Sequence, residues 1–414
     1  FNFFLGELAQ NLDKEDMLDR FIMAGYPKTT LLNLIKKTNL KNDASSRLVD
    51  RRKKISDSLV YSPWISEVIM QISQRLRNKK YFSRLCEWLD ILSLLSYSYS
   101  SARCIKNTKA KIYHYRSGYG LISAKLAKKR GMILICDHSI AHPETVDYLI
   151  NNNGKFPGSF DKNEVSKFWK LVKKDIDIAD YVIVNSDFVK SSFIKQGFDK
   201  NKIFVVYSGV DKNLISKFKT IKETQFRYKS EVSKPIKFLF CGKFEKRKGS
   251  DILLKTLMMY PNKNVYLEIV GVPNEHLRDV KNQVSSFPNI KVIGFINKEL
   301  LIYKMASSDV FIFPSLCEGS ARVIFQAMLS ECYIIATPNS GSIVQNNVNG
   351  SLIKPGCCES LMDEMKYVEN MPHVEISKIG KRNSNEIIQN YNEKTYYKSI
   401  KEVYKSIQAS NIPK

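Results

Sequence analysis

The chain has 414 residues, 43% hydrophobic and 26% charged, which excludes a disordered tail or a small disulfide-stapled module and predicts a globular protein of two domains. Glycine (18) and proline (13) are scarce, excluding collagen-like and low-complexity chains, and no stretch reaches the ~18 continuous apolar residues of a membrane-spanning helix. The net charge of +24 divides as +14 over residues 1–210 (35 Lys and Arg, 21 Asp and Glu) and +10 over the remainder (30 and 20), so both halves are basic.

The chain opens on Phe1 and the helix-like FNFFLGELAQNL, the pattern of a trimmed start that leaves room for a removed leader. Residues 51–130 then carry 18 basic and 4 acidic side chains, clustered in RRKK (51–54), RLRNKK (75–80) and KLAKKR (125–130). This predicts a positive face suited to nucleic acid, an anionic membrane or a phosphorylated substrate. A membrane surface is preferred to a merely soluble Lys-rich one, because RLRNKKYFSRLCEWLDILSLL interleaves Arg and Lys with Phe, Trp and Leu as interfacial helices do. The β-branched runs KIYHY (111–115), MILIC (132–136), YVIVN (181–185) and KIFVVY (202–207) alternate with helical patterns and predict a first α/β unit.

Ligands in open parallel sheets bind where strands end, so the residues just after each strand are the candidates. After KIYHY stand Arg116, Gly118 and Gly120, either a simple strand-to-helix turn or a place where substrate comes close to the backbone. After MILIC, CDHSIAHPET offers His138 and His142. The D-x-D at Asp175–Asp177 falls in the helical pattern KLVKKDIDIADY and reads as solvated helix surface, and no metal is expected. The polar stretch SGVDKNLISKFKTIKETQFRYKSEVSKP reads as an interdomain linker.

The second half alternates strands and helices again, with VYLEIVG (265–271), IKVIGFI (290–296), DVFIFPS (309–315) and YIIATP (333–338) as buried parallel strands. After FLFC, Gly242 lets the backbone approach a ligand and Lys243 and Lys248 bring two ammonium groups to the strand end, a pyrophosphate-binding pattern. After DVFIFPS, Glu318 precedes a small-residue turn. The amides of Gly319, Ser320 and Ala321 are expected to be free for phosphate oxygens at a helix start, and Gln326 lies about 12 Å further along at ~1.5 Å per residue. The last twenty residues form an amphipathic helix. Eight cysteines without C-x2-C spacing read as reduced thiols, mostly buried, which points to a reducing, cytoplasmic compartment.

The segments DIADYVIVNSDFVKSSFIKQGF, KIFVVYSGVD, FCGKFEKRKG, KMASSDVFIFPSLCEG and NGSLIKPG, in this order, resemble the retaining glycosyltransferases of family 4, over roughly residues 110–360. The resemblance implies an α/β GT-B fold, two Rossmann-like domains facing each other across a cleft: an acceptor domain at 1–210, with a C-terminal helix at 391–414 packing back on it, and a nucleotide-sugar domain at 211–390. It implies that Lys243 and Lys248 neutralise a departing nucleoside diphosphate and that Glu318 contacts the transferred sugar. Gln326 falls where the family has the glutamate that binds ribose, an amide in place of a charge-assisted acceptor. The usual glycine after that motif is Glu331 here, and the usual proline is Tyr333. His142 fits one branch of the family and His138 the others, as the hydrogen-bonding partner of the donor sugar. The implied reaction is metal-independent hexose transfer with retention, from a UDP or GDP sugar to a glycan or lipid-linked glycan acceptor in bacterial surface polysaccharide or lipopolysaccharide synthesis, at or near the inner face of the cytoplasmic membrane. A nucleotide-sugar epimerase of the same fold and a non-enzymatic basic binding protein are the competing readings; nucleic acid is not the expected partner.

Overall fold

A computed structural model of the chain describes residues 3–37, 48–77, 80–156, 165–225 and 235–410. The chain divides into two compact units that do not follow chain order. One holds Phe1–His138 with Glu164–Ile183, the other Ser139–Asn163 with Val184–Lys414.

The first unit starts with α1 (Phe3–Lys14), then a short parallel pair of β1 (Phe21–Ile22) and β2 (Val60–Tyr61) flanking α2 (Thr29–Lys37). A small core of Ala9, Phe21, Tyr26, Ile55 and Val60 holds this region together. The Tyr26 hydroxyl, which an apolar site would leave unsatisfied, donates to the Lys53 carbonyl at 2.9 Å. Next come α3 (Trp64–Leu76) and α4 (Ser83–Ile105), packed as a hairpin. Strand β3 (Ile112–Arg116), helix α5 (Leu121–Lys129) and strand β4 (Ile133–His138) form a parallel β-α-β unit, with Ile112 opposite Ile133 and Arg116 opposite Asp137. Helix α6 (Pro143–Asn151) belongs to the second unit, and α7 (Lys167–Ile178) returns to the first and leads into β5 (Tyr181–Val184), the next neighbour of β4.

The second unit continues through α8 (Asp187–Lys195), β6 (Ile203–Val205) and α9 (Lys212–Gln225). The linker expected over this stretch is therefore overturned for residues 212–225. Leu214, Ile215, Phe218 and Ile221 recur at helical spacing within the Lys-rich run, and Phe218 is buried against a large apolar cluster. Residues 226–234 of that expected linker lie outside the described residues.

A six-stranded parallel sheet organises the rest: β7 (Lys237–Cys241), β8 (Tyr266–Val270), β9 (Ile290–Ile293), β10 (Val310–Phe313), β11 (Tyr333–Ala336) and β12 (Gly350–Leu352), in spatial order β12-β11-β10-β7-β8-β9. Successive strand residues point to opposite faces, and the buried side chains sort accordingly. Phe238, Phe240, Val310 and Ile312 enter one core, while Leu239, Cys241, Phe311 and Phe313 enter the other. Burying each such large side chain stabilises the fold by about 1.5–3 kcal/mol, so continuous apolar runs are what a sheet covered on both sides requires. The helices α10 (Ser250–Met259), α11 (Asn274–Gln283), α12 (Lys298–Ala306), α13 (Arg322–Leu329), α14 (Cys358–Glu369) and α15 (His373–Asn390) follow the strands, and α16 (Glu393–Ser410) buries Tyr396, Ile400, Val403, Tyr404 and Ile407. The eight cysteines are free thiols, five of them buried. Cys357 is the N-cap of α14, its sulfur accepting from the Ser360 amide at 3.4 Å. Among the described residues no helix is long and apolar enough to cross a membrane.

Candidate active site

The strand order of the six-stranded sheet reverses direction between β7 and β10: the chain proceeds outward through β8 and β9, then crosses back to pair β10 with β7. Loops leaving the carboxyl ends of such a pair diverge and open a crevice. The two motifs singled out in the second half, Gly242–Gly249 and Leu316–Gln326, are the loops that leave β7 and β10.

They meet through charge. Glu318, with its side chain only 10% exposed, lies 2.5 Å from Lys248 Nζ and 2.7 Å from a guanidinium nitrogen of Arg247. Arg247 also donates to Glu245 at 3.1 Å and to the Cys317 carbonyl at 3.3 Å, and Lys243 Nζ reaches Glu245 at 3.1 Å. Lys243, Arg247 and Lys248 against Glu245 and Glu318 leave one uncompensated positive charge in the cluster. Burial pulls the Arg247 guanidinium toward neutrality, but the carboxylates of Glu318 and Glu245 outweigh it and hold its pKa above the usual value. Lys243 is the solvent-facing member, with its side chain 66% exposed. The Lys248 ammonium group also lies over the Phe313 ring, 5.3 Å from its centre, so a cation–π contact holds it beside the carboxylate.

Backbone demands explain the glycines here. Gly249 ends the short turn Lys246–Lys248 with φ +74°, and a Cβ there would run into the Pro314 carbonyl; only glycine meets both conditions. Gly242 is different, because a Cβ would make ordinary contacts 3.6 Å from Phe313 and 3.9 Å from Lys248. Gly319 is pressed against Ser139, whose carbonyl would clash with a Cβ, and its own carbonyl accepts from the Ser186 hydroxyl.

The expectation of free amides at the start of α13 is overturned at Ala321. The helix begins at Arg322 with Ala321 as its N-cap, and the Ala321 amide donates to the Ser340 carbonyl at 3.0 Å. The Glu318 amide likewise donates to Asn339 O at 2.9 Å. Ser320 lies in the turn before the helix, and Gln326 lies half-buried within α13. The helix ends in an unusual turn at Glu331, a non-glycine residue at φ +62°.

His142, in the same unit, is fully buried as the N-cap of α6, its Nδ1 accepting from the Glu144 amide at 3.3 Å, with the rings of Phe193 and Phe198 at 5.0 and 5.5 Å. These are the contacts of a structural cap.

The remaining candidates belong to the first unit. His138 ends β4, buried, with Nδ1 2.8 Å from the Ser117 hydroxyl. Arg116 pairs with Asp137 at 2.8 Å. The turn after β3 is shaped by its glycines: Gly118 has φ +89°, and a Cβ on Gly120 would enter the Tyr115 ring. Asp175 overturns its reading as solvated surface. Its side chain is fully buried on α7, one oxygen accepting from the Gly120 amide at 2.7 Å and the carboxylate also bonding the Gly118 amide. Burial outweighs both hydrogen bonds and lifts its pKa to about 7. Asp177, two residues on, pairs with Lys173 at 2.8 Å at the surface, as expected for that face. Among the described residues no group of three or more His, Cys, Asp or Glu is placed to hold a metal ion.

Arg247 and Asp175 are the residues that sequence reasoning missed. Arg247 stands inside the KRKG run but was not distinguished from its lysine neighbours, and its partner Glu318 is distant in the chain. The signal for Asp175 is its spacing: with Val172 and Ile176 it forms the i, i+3, i+4 stripe of one helix face, which is buried, while Asp177 falls off that stripe.

Comparison with known proteins agrees with this architecture. Residues 71–214 match the family model described as Glycosyltransferase Family 4, and residues 235–370 match Glycosyl transferases group 1. The chain is 27% identical over 303 residues to the uncharacterized glycosyltransferase MJ1069 of Methanocaldococcus jannaschii, covering 70% of this chain and 71% of that protein. It is 30% identical over 196 residues to an uncharacterized 41.2 kDa protein in the cps region of Klebsiella pneumoniae, covering 46% and 51%. Its fold is similar to that of Anabaena Alr3699/HepE, a structure containing UDP, with a TM-score of 0.58 at 17% identity over 93% of this chain and 99% of that one. With family models matching both halves in order and the ion cluster standing at the sheet's point of reversal, the chain belongs to glycosyltransferase family 4 and is a glycosyltransferase of GT-B fold.

Proposed function

We propose that the enzyme moves a hexose from a nucleoside diphosphate sugar to a glycan or lipid-linked glycan acceptor, with retention at the anomeric carbon and without a metal ion. The observation that carries this reading is the contact of Lys248 and Arg247 with Glu318 where β7 and β10 diverge. An arriving diphosphate competes with the carboxylate for those two cations, and Lys243 is exposed to meet it. In the reaction the bond from the anomeric carbon to the phosphate oxygen breaks, and a bond to the acceptor hydroxyl oxygen forms on the same face. The hydroxyl proton passes to the leaving diphosphate, whose charge Lys243, Arg247 and Lys248 stabilise. Gln326 takes the place of the ribose-binding carboxylate. His138 is our candidate for the sugar contact, since His142 is engaged in capping α6.

A uridine donor is supported by Anabaena HepE, whose structures hold UDP, UDP with glucose, and UDP-glucose, and GDP sugars are the second choice. The Klebsiella relative's place in a cps region supports a role in surface polysaccharide synthesis. We place the reaction in the cytoplasm, with the basic 51–130 region against the anionic inner face of the membrane. Thermal shift against a panel of UDP and GDP sugars tests the donor, because a ligand that binds only the folded state raises its melting temperature. A shift with one nucleotide sugar, weakened in Lys248→Ala, is expected. No shift with any member of the panel would defeat the reading. NMR of the product's anomeric configuration then tests retention.

A further inference from the structure

The α3–α4 hairpin of the first unit is built inside out. Its seam is lined by serines together with Cys86: Ser66, Ser73, Ser93 and Cys86 are buried, Ser93 Oγ donating to Ser66 O at 2.7 Å and Ser73 Oγ to Asp90 at 2.6 Å. Its outer surface carries apolar side chains beside the exposed Gln71 and Gln74, and the Lys167 ammonium group of α7 lies 5.3 Å from the centre of the Trp88 ring. Ile65, Val68 and Ile72 on α3 are exposed, Ile65 by 69%, and so are Leu85, Trp88 and Leu92 on α4, Trp88 by 64%. Each triplet is spaced i, i+3, i+7 and forms one stripe, which at about 100° per residue lies roughly 80–160° around its helix from the seam. A hairpin that folded by burying hydrocarbon would show the reverse arrangement, and a run of exposed apolar side chains on one element marks an interaction surface.

The charges say what covers it. Arg75, Arg77, Arg84, Arg103 and Lys106 are all exposed, whereas the hairpin's three acids, Glu67, Glu87 and Asp90, are half-buried. Glu67 is tied to Arg51 at 2.8 Å and Asp90 is paired with Arg77. The outward face is thus apolar and cationic at once. A second copy of the chain docked symmetrically on it would bring the same arginines face to face. Nucleic acid would meet the cations but leave the aliphatic stripes unsatisfied. A bilayer with anionic headgroups satisfies both, the arginines reaching phosphates while Ile, Leu and Trp enter the acyl boundary.

We propose that the outer face of the α3–α4 hairpin is a membrane-docking surface, lying flat on an anionic bilayer with Ile65, Trp88 and Leu92 inserted and Arg75 and Arg84 at the headgroups. This rests on the placement of the enzyme at a membrane and specifies the residues that hold it there.

The test is flotation of the full chain with vesicles of phosphatidylcholine, with and without phosphatidylglycerol. The chain is expected to float with the anionic vesicles and poorly with the neutral ones. The combined variant Ile65→Ser, Trp88→Ser, Leu92→Ser should lose at least about tenfold in binding. Arg75→Glu with Arg84→Glu should lose about fivefold or more per residue, the equivalent of ~1 kcal/mol for each basic group near the surface. All of these side chains are exposed, so both variants should keep the wild-type melting temperature and the thermal shift with a nucleotide sugar. Failure of the wild type to float, or equal flotation of the serine variant, overturns the docking face. So does a dimer, or an RNA complex, that the serine variant abolishes while flotation is absent. A preserved nucleotide-sugar shift beside absent flotation would remove this surface and leave glycosyl transfer standing; flotation without any such shift would do the opposite.

Discussion

Two strand-to-helix turns of this enzyme are pinned by acidic side chains in opposite ways. The turn after β3 is held by Asp175, buried and bonded to the amides of Gly118 and Gly120. The turn after β7 is held by Glu318, which engages the side chains of Arg247 and Lys248. Amide dipoles are fixed in the backbone and cannot be taken over by a ligand without unmaking the turn. Side-chain cations can exchange one anion for another. The first lock is therefore scaffold, and the second is a place where, on the function proposed above, an incoming diphosphate would change the partners of the groups that hold the loop.

Removing the exchangeable lock should have the largest effect. Lys248→Ala and Glu318→Ala are each expected to lower kcat/KM by about 10²–10³-fold, the scale for losing a preorganised electrostatic group, with circular dichroism unchanged. Full activity in both would erase the contrast between the turns. Gly249→Ala tests the geometry of the same loop rather than its charge: a Cβ facing the Pro314 carbonyl at φ +74° should cost about 2–4 kcal/mol in urea denaturation.

The amide lock is probed by Asp175→Ala, which leaves the Gly120 amide without its acceptor and should cost about 1–3 kcal/mol. Its proton adds a sharper test. The Asp175 pKa rises from 3.8 to about 7 on folding, so the native state holds the proton more tightly than the unfolded chain. The stability from this group is fully present below about pH 4 and is lost as pH rises through about 7. Asp175→Asn, which keeps an acceptor but cannot ionise, should flatten that part of the stability curve. An unchanged slope would show that the carboxylate is not what titrates.

Two smaller effects complete the comparison. Gln326→Glu should tighten donor binding by up to about fivefold if the amide stands in for a charge-assisted acceptor, and a marked loss, measured by calorimetry, would mean a remodelled ribose site. Glu331→Gly should stabilise the protein by about 0.5–1 kcal/mol by relieving a left-handed turn, read as a higher urea midpoint.

The second unit was the more legible in the sequence. Runs such as VFIF and YIIA are apolar at every position because both faces of their sheet are covered, and that pattern survives without an alignment. The loops after β7 and β10 were found by the same logic, since only strand ends present backbone and charge to a ligand. What stayed hidden is long-range pairing. Nothing near Arg247 announces Glu318, and nothing near Asp175 announces the amides of a turn more than fifty residues earlier. Helix α9 was missed because its lysines outnumber its apolar residues, although Phe218 and its neighbours at helical spacing are enough to seat it. Ala321 shows a related blind spot: a helix start can be placed to within a few residues by pattern, but which amide meets another carbonyl depends on the fold around it.

The serine seam between α3 and α4 separates two tasks that most helical hairpins assign to one set of side chains. Hydroxyl groups supply the hydrogen bonds across the pair, beside the buried Cys86, while Ile65, Val68 and Leu92 stay exposed outside that seam. Substitutions on the exposed stripe can therefore be made with the Ser66–Ser93 and Ser73–Asp90 contacts left in place.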